Sequence, residues 1–178
     1  MRTTIMHEVN KINPFDATEE KDKRDVIAWI ESGMELCRLQ KPAIPPKHLI
    51  SYFVVIDAEY LLLVDHINAG LWLPPGGHVE PKEHPRTTVV REALEELSLT
   101  VDFAHNGPTF VTVTDTVGAT VGHTDVSLWY VVNDDRHQPI TFDDGEFHGA
   151  AWFHRSKVPV DRSDPQISRF LRKYFGSS

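Results

Sequence analysis

The sequence predicts an α/β fold in which a mixed sheet lies between helices. Three observations predict it. Short aliphatic and aromatic runs, several of them alternating with polar residues, recur from Ile50 to Phe153, as strands do. One stretch among them, Thr87 to Leu97, has no breaker and follows Pro85, a residue suited to the first helical turn because its missing N–H costs nothing there. Apolar residues at helical spacing return at both ends, as Val26, Ile27, Ile30 and Met34 and as Ile167, Phe170, Leu171 and Phe175. Helices before, within and after a run of strands give a layered α/β packing.

In chain order, Asp16 opens a helix over about 17–39, with Glu19 and Glu20 near its positive end. Trp29, Leu36 and Cys37 extend its apolar stripe, and Cys37 reads as a core thiol and not as a nucleophile. The stripe should dock on the domain or on a second copy, which makes a homodimer an expectation. Lys41-Pro42-Ala43-Ile44-Pro45-Pro46 is expected to be an extended connector, since three prolines exclude a helix. Residues 1–46 therefore form an N-terminal helical extension with a Pro-rich connector, and residues 47–178 the main domain.

Ile50–Asp57 and Tyr60–Val64 are strands joined across Asp57-Ala58-Glu59, and Leu71–Pro74 leads into a glycine loop with Trp72 packed beneath it. On the helix that follows, Glu92, Glu95 and Glu96 share one face (i, i+3, i+4). Val90, Ala93, Leu94 and Leu97 are expected to pack on the core. Strands follow at Val101–Ala104, Phe110–Val117 and Val126–Val132, with a turn at Gly118–Gly122, and a last one at Ala150–Phe153 after an Asp143-Asp144-Gly145 loop. Asp164 caps the final helix, with Pro165 at its first position and Arg172 and Lys173 at its negative end.

The bulk properties set limits. With 40% hydrophobic and 25% charged residues among 178, the chain is an ordinary globular protein. A net charge of −8 argues against a stable nucleic-acid partner or an anionic membrane. An anionic substrate remains compatible, because a bound metal reverses the local field. One cysteine permits no intramolecular disulfide, and Met1-Arg2-Thr3-Thr4 lacks an apolar signal core, so a cytoplasmic location is expected.

The acidic helix carries the chemistry. Three carboxylates so close repel one another, which makes sense if a divalent cation sits among them. Hard oxygen ligands suit Mg²⁺, with Mn²⁺ as a substitute. A bare solvated acidic face would look the same, but the wider spacing decides. From Gly77, five residues lead to Glu83 and seven more to Arg91-Glu92, followed by Glu95-Glu96 and Leu99. This pattern resembles the Nudix box, G-x5-E-x7-R-E-U-x-E-E-x-G-U, where U is a bulky aliphatic residue. Two positions depart: Ala93 is small, and Ser98 replaces the closing glycine. A non-glycine residue in a left-handed cap costs on the order of 1 kcal/mol, and neither departure touches a charged residue. The strand pattern carries the likeness over roughly Leu49–Phe153.

The resemblance to the Nudix hydrolase superfamily implies an α/β/α sandwich with a mixed sheet, to which this chain adds an N-terminal helix. It also implies a diphosphohydrolase acting on phosphorus anhydrides, with Glu95 and Glu96 as metal ligands and Glu92 as a ligand or the water-activating base. The backbone carbonyl of Gly76 or Gly77 would complete the metal's shell. Arg91 would hold a carboxylate in place and Glu83 would support it from behind. A further acid from a distal loop often completes such sites, and Glu146 is chosen ahead of Asp144 and Asp143. Gly77 and His78 would touch the substrate phosphates, and His123 and Asp125, flanking a turn, are further candidates. The proline or tyrosine that accompanies ADP-ribose and dinucleoside polyphosphate hydrolases downstream of the box is missing from Val113–Val117, as is a coenzyme A signature near Leu61–His66. What remains is a nucleoside triphosphate, ordinary or oxidised, cleaved to the monophosphate and pyrophosphate. Phe53, Phe110, Trp129 and Phe142 are candidates for stacking on its base. The alternatives are a nucleotide-sugar or dinucleotide pyrophosphatase, a prenyl diphosphate isomerase and a ligand-sensing module. The isomerase needs a cysteine in the sheet domain, and a sensor would lose box carboxylates, all of which are kept here.

Overall fold

The computed structural model describes residues 1–41, 44–116 and 122–176. Pro42 and Ala43 of the expected connector, and Val117 and most of the turn that begins at Gly118, lie outside them. The helices are α1 (Arg2–Lys11), α2 (Ala17–Glu31), α3 (Pro85–Leu97) and α4 (Ile167–Phe175). The strands are β1 (Lys47–Asp57), β2 (Tyr60–His66), β3 (Leu71–Leu73), β4 (Gly76–His78), β5 (Asp102–Phe103), β6 (Phe110–Asp115), β7 (Thr124–Asn133) and β8 (Phe147–His154).

One mixed sheet holds all eight strands, with β1 and β7 parallel at its centre. On its other side β1 pairs with β2 through residues 55–57 and with β4 through residues 50–52, both antiparallel. Period-two alternation divides the core. Phe53, Val55, Leu62, Val64, Leu128 and Tyr130 face α1, α2 and α3, whereas Val54, Ile56, Leu61, Leu63, Trp129 and Val131 face α4. This is an α/β/α sandwich, as the sequence predicts.

Several details differ from the sequence expectation, among them the last helix, which starts at Ile167 with Gln166 and not Asp164 at its cap. Arg2–Lys11 is helical, although only Ile5 and Val9 of it are buried, and it is held from outside by Arg2, whose guanidinium donates to the carbonyls of Ile30 and Met34. The second helix ends at Glu31 and not near 39, because Gly33 takes a left-handed φ of +79°. Met34 is thus exposed, and Cys37 is buried in a loop and not on a helix. Near the connector the chain doubles back, with Leu39 and Gln40 donating to the Ile44 carbonyl. The apolar stripe of α2 is spent within the chain: Val26, Trp29 and Ile30 share one core cluster with β1 and β7.

The start of α2 is also tied to α4. Asp16 caps the helix by accepting from the Glu19 N–H, and Glu19 accepts in turn from the Phe15 N–H. The other Glu19 oxygen takes a hydrogen bond from Lys173 at 2.6 Å, with Glu19 fully buried. Removing one member of such a pair strands the other charge. Glu19→Ala should therefore cost about 2–4 kcal/mol in urea unfolding. A loss within a few tenths of a kcal/mol would mean that the N-terminal helices are not docked this way.

Candidate active site

α3 starts at Pro85, capped by the His84 ring, which accepts from the Arg86 N–H. It ends at Ser98 in the left-handed region, φ 52°. That is the strained cap anticipated from the missing glycine. Its buried face is formed by Thr88, Val89, Ala93, Glu96 and Leu97. Val90 and Leu94, expected in the core, are 47% and 63% exposed. The helix is rotated because its carboxylate face, not a purely apolar one, is turned toward β4, and the small Ala93 lets it sit close.

β4 explains that rotation. It runs beside β1 with Gly77 opposite Ser51, and an added Cβ on Gly77 would collide with the Glu92 carboxylate. Gly76 adopts φ +148° against the backbone of Ser51 and Tyr52, where a Cβ would also collide. The Gly76 N–H donates to Glu96 Oε2 at 3.0 Å. Gly77 is therefore required for close approach of the Glu92 carboxylate, and Gly76 for close approach of β4 to the β1 backbone.

Arg91 is the rivet of the site. It donates through Nε and Nη2 to the two Glu83 oxygens, each at 3.0 Å, and through Nη1 to Glu92 at 2.7 Å and Glu95 at 3.2 Å. Nη2 also reaches the His78 carbonyl at 3.3 Å. Glu83 further accepts from Thr88 Oγ1 and from the Glu80 N–H. Burial alone would raise the Glu83 pKa, but the Arg91 and Thr88 hydrogen bonds override it and hold the carboxyl below its ordinary value. The fork to Glu83 is the main reason the Arg91 pKa is raised.

Glu92 and Glu96 shift the opposite way to Glu83. Burial, with Glu92 and Glu146 nearby, pushes Glu96 up to about 9, and burial raises Glu92 as well. Glu95 points outward, with its side chain 60% exposed. The exposed Glu146 lies at the tip of the loop whose Asp143 N–H donates to the Glu96 carbonyl at 2.8 Å. Glu92, Glu95 and Glu96 are not drawn into one metal-sized cluster, because Arg91 engages two of them. Among the described residues, the groups whose ligand atoms all lie within 4.8 Å are His48, His78, His123 and Asp125, and Asp57, Asp135 and His137.

His78 departs from its expected place at the phosphates. Its carbonyl faces Arg91, but its ring lies 4.9 Å from the ring of His48, and burial with Arg38 nearby holds it neutral, down to about 3. His48 had no signal in the sequence, since its partners are set by the β1–β7 register. The stacking candidates Phe53, Phe110 and Trp129 are fully buried, so they are core, and Phe142 is half-buried against the core. A groove of about 400 Å³ between α1 and the 105–109 loop includes no residue of α3 or β4 in its lining.

A model of the NUDIX domain family matches residues 46–174. A search of curated proteins finds no match. Similar solved structures include a MutT NUDIX hydrolase from Burkholderia pseudomallei (20% identity, TM-score 0.58, covering 72% of this chain and 98% of that one). Others are an Ap4A hydrolase from C. elegans (16%, 0.58, 71% and 94%) and the E. coli dihydroneopterin triphosphate pyrophosphohydrolase (12%, 0.56, 71% and 93%). At such identities the likeness shows a shared fold.

The raised Glu96 pKa has a consequence for stability without metal. Its folded value, about 9, exceeds the ordinary glutamate value of 4.5, so the folded state holds a proton that the unfolded chain releases. Stability from this group is full below about 4.5 and is lost as pH rises through about 9. In chelator, Glu96→Gln should melt higher than the parent at pH 8, by an amount on the order of 1 kcal/mol or more, and the gap should shrink toward pH 5. A parent whose melting in chelator does not fall between pH 5 and pH 8 relative to the variant would contradict the burial of this carboxylate.

Proposed function

The chain belongs to the NUDIX domain family and is a hydrolase acting on phosphorus anhydrides, and from that premise we propose a Mg²⁺-dependent pyrophosphohydrolase of nucleoside triphosphates, yielding the monophosphate and pyrophosphate. The observation that carries it is the pair Glu92 and Glu96, half-buried and buried against Gly77 and Gly76 with raised pKa values. Arg91 reaches Glu92 but leaves both pKa values raised, so a second positive charge is needed to hold both as anions. All-oxygen donors fit a hard divalent ion, Mg²⁺ or Mn²⁺.

Glu96 and Glu92 would hold that ion, with Glu95 and Glu146 at its rim and the Gly76 carbonyl as a further donor. Once bound, the ion neutralises phosphate charge and makes water a better nucleophile. Glu92 is the group we assign to take the water's proton. Arg91 keeps Glu92 oriented, and Glu83 fixes Arg91, so these two act by positioning. Release of Glu95 from Arg91 would free it to turn toward the ion. Because Glu96 must lose its proton to bind metal, the Mg²⁺ requirement should rise on acidification.

The triphosphate assignment is supported by the absence of the sequence signatures that accompany ADP-ribose, dinucleotide and coenzyme A hydrolases. Nucleoside triphosphates, oxidised forms included, should be converted with Mg²⁺ to monophosphate and pyrophosphate, read by chromatography. Glu96→Gln should lower turnover about a hundredfold or more. Turnover confined to dinucleotides or nucleotide sugars would overturn the substrate class, and normal turnover in Glu96→Gln would overturn the site.

A further inference from the structure

β4 has two faces, and the second is chemically as specific as the first. Gly77 turns toward α3, so the alternation of the strand sends the neighbouring His78 to the α4 side of the sheet. There it meets His48 of β1, Asp125 of β7 and His123 just before β7. Parallel pairing puts His48 in register with Asp125. Their ligand atoms all lie within 4.8 Å of one another. His48 Nε2 and His123 Nε2 stand 3.4 and 3.3 Å from Asp125 Oδ1. Two ligands each 2.0–2.1 Å from a tetrahedral ion stand about 3.3–3.4 Å apart.

The cluster is also short of partners. Nε2 of His48, Nε2 of His78 and Oδ1 of Asp125 are buried without a hydrogen bond among the described residues. Three such groups converging on one point are costly unless something occupies it. In two of the three histidines the outer nitrogen is already committed. His48 Nδ1 lies 2.9 Å from the Pro45 carbonyl, which can only accept, so this nitrogen donates and the lone pair of the neutral ring is on Nε2. His123 Nδ1 lies 3.2 Å from Thr116 Oγ1, whose hydroxyl donates to the His123 carbonyl at 3.0 Å. With Nδ1 donating to Thr116, the lone pair of the neutral His123 ring is likewise on Nε2. Outer-nitrogen hydrogen bonds of this kind orient metal-binding histidines. The Asp57, Asp135 and His137 group has no such character, since two of its members are exposed and Asp57 already pairs with Arg136 at 3.2 Å.

We propose that His48, His78, His123 and Asp125 form a tetrahedral site for a structural Zn²⁺-class ion that clamps β4 to β1 and β7. Three imidazoles and one carboxylate select a borderline transition ion over Mg²⁺. With four protein ligands the shell is closed, which marks a structural ion and not a catalytic one. The site is separate from the carboxylates of α3, on the opposite face of the same three-residue strand. Its ion would brace the strand that carries Gly76 and Gly77.

Full-length protein stripped with chelator and given Zn²⁺ should bind one tight equivalent by elemental analysis and melt at a higher temperature. Co²⁺ in its place should give the intense visible bands of a tetrahedral ion. His123→Ala and the isosteric Asp125→Asn should each weaken Zn²⁺ binding by roughly a hundredfold or more and erase those bands. The double variant E92Q/E96Q should keep both Zn²⁺ stoichiometry and Co²⁺ spectrum while losing Mg²⁺-dependent turnover, so the two sites stand or fall separately. No tight Zn²⁺ binding, a weak octahedral Co²⁺ spectrum, or binding unchanged in both His123→Ala and Asp125→Asn would overturn the proposal.

Discussion

The closeness of α3 to β4 is the constraint on which the rest of this molecule depends. β4 is three residues long; Gly77 has no side chain to hold the helix away, and Gly76 has none to hold the strand away from β1. The Glu92 carboxylate fills the space where a Gly77 side chain would be, and the Gly76 N–H meets Glu96. Helix rotation, the exposure of Val90 and Leu94 and the raised carboxylate pKa values all follow from that approach. Burying acids this way is unfavourable on its own. The core beneath α3, built from Val89, Ala93 and Leu97 against the sheet, offsets it.

Arg91 keeps the arrangement in order. Its fork to Glu83 is held by three more hydrogen bonds, from Thr88, from Glu80 and to the His78 carbonyl. It is anchored on that side, while its remaining nitrogen engages Glu92 and Glu95. An arginine pinned in this way positions carboxylates without being able to lose its own charge. Glu83 and Glu96 shift in opposite directions: one acid is stabilised as an anion by its hydrogen bonds, the other is held protonated by burial.

Much of this was legible in the sequence, and the exceptions have physical causes. The breaker-free run after Pro85 and the period-two strands are local signals, and they gave α3 and most of the sheet. Ser98 was readable as a strained cap because glycine is the residue that cap favours. α1 was not, since a helix with two buried residues depends on what Arg2 finds across the interface. The end of α2 is not legible, because apolar spacing continues past Gly33 while the left-handed backbone at that glycine outweighs the pattern. For α3 the apolar and acidic faces overlap, and spacing alone does not tell which one a glycine strand will accept. His48 and Asp125 are brought together by a parallel register that no local pattern encodes. The residues of the box were therefore visible in the chain, while the depth at which each sits was decided by β4.

That depth is also what a single substitution can test. Gly77→Ala adds one methyl group at the point where Glu92 meets the strand, on a residue whose backbone conformation tolerates alanine. Turnover of the best substrate with Mg²⁺, measured beside thermal melting, should fall by about two orders of magnitude with the domain still folded. Near-normal turnover in a folded Gly77→Ala protein would contradict the claim that the fit between β4 and Glu92 sets up the site.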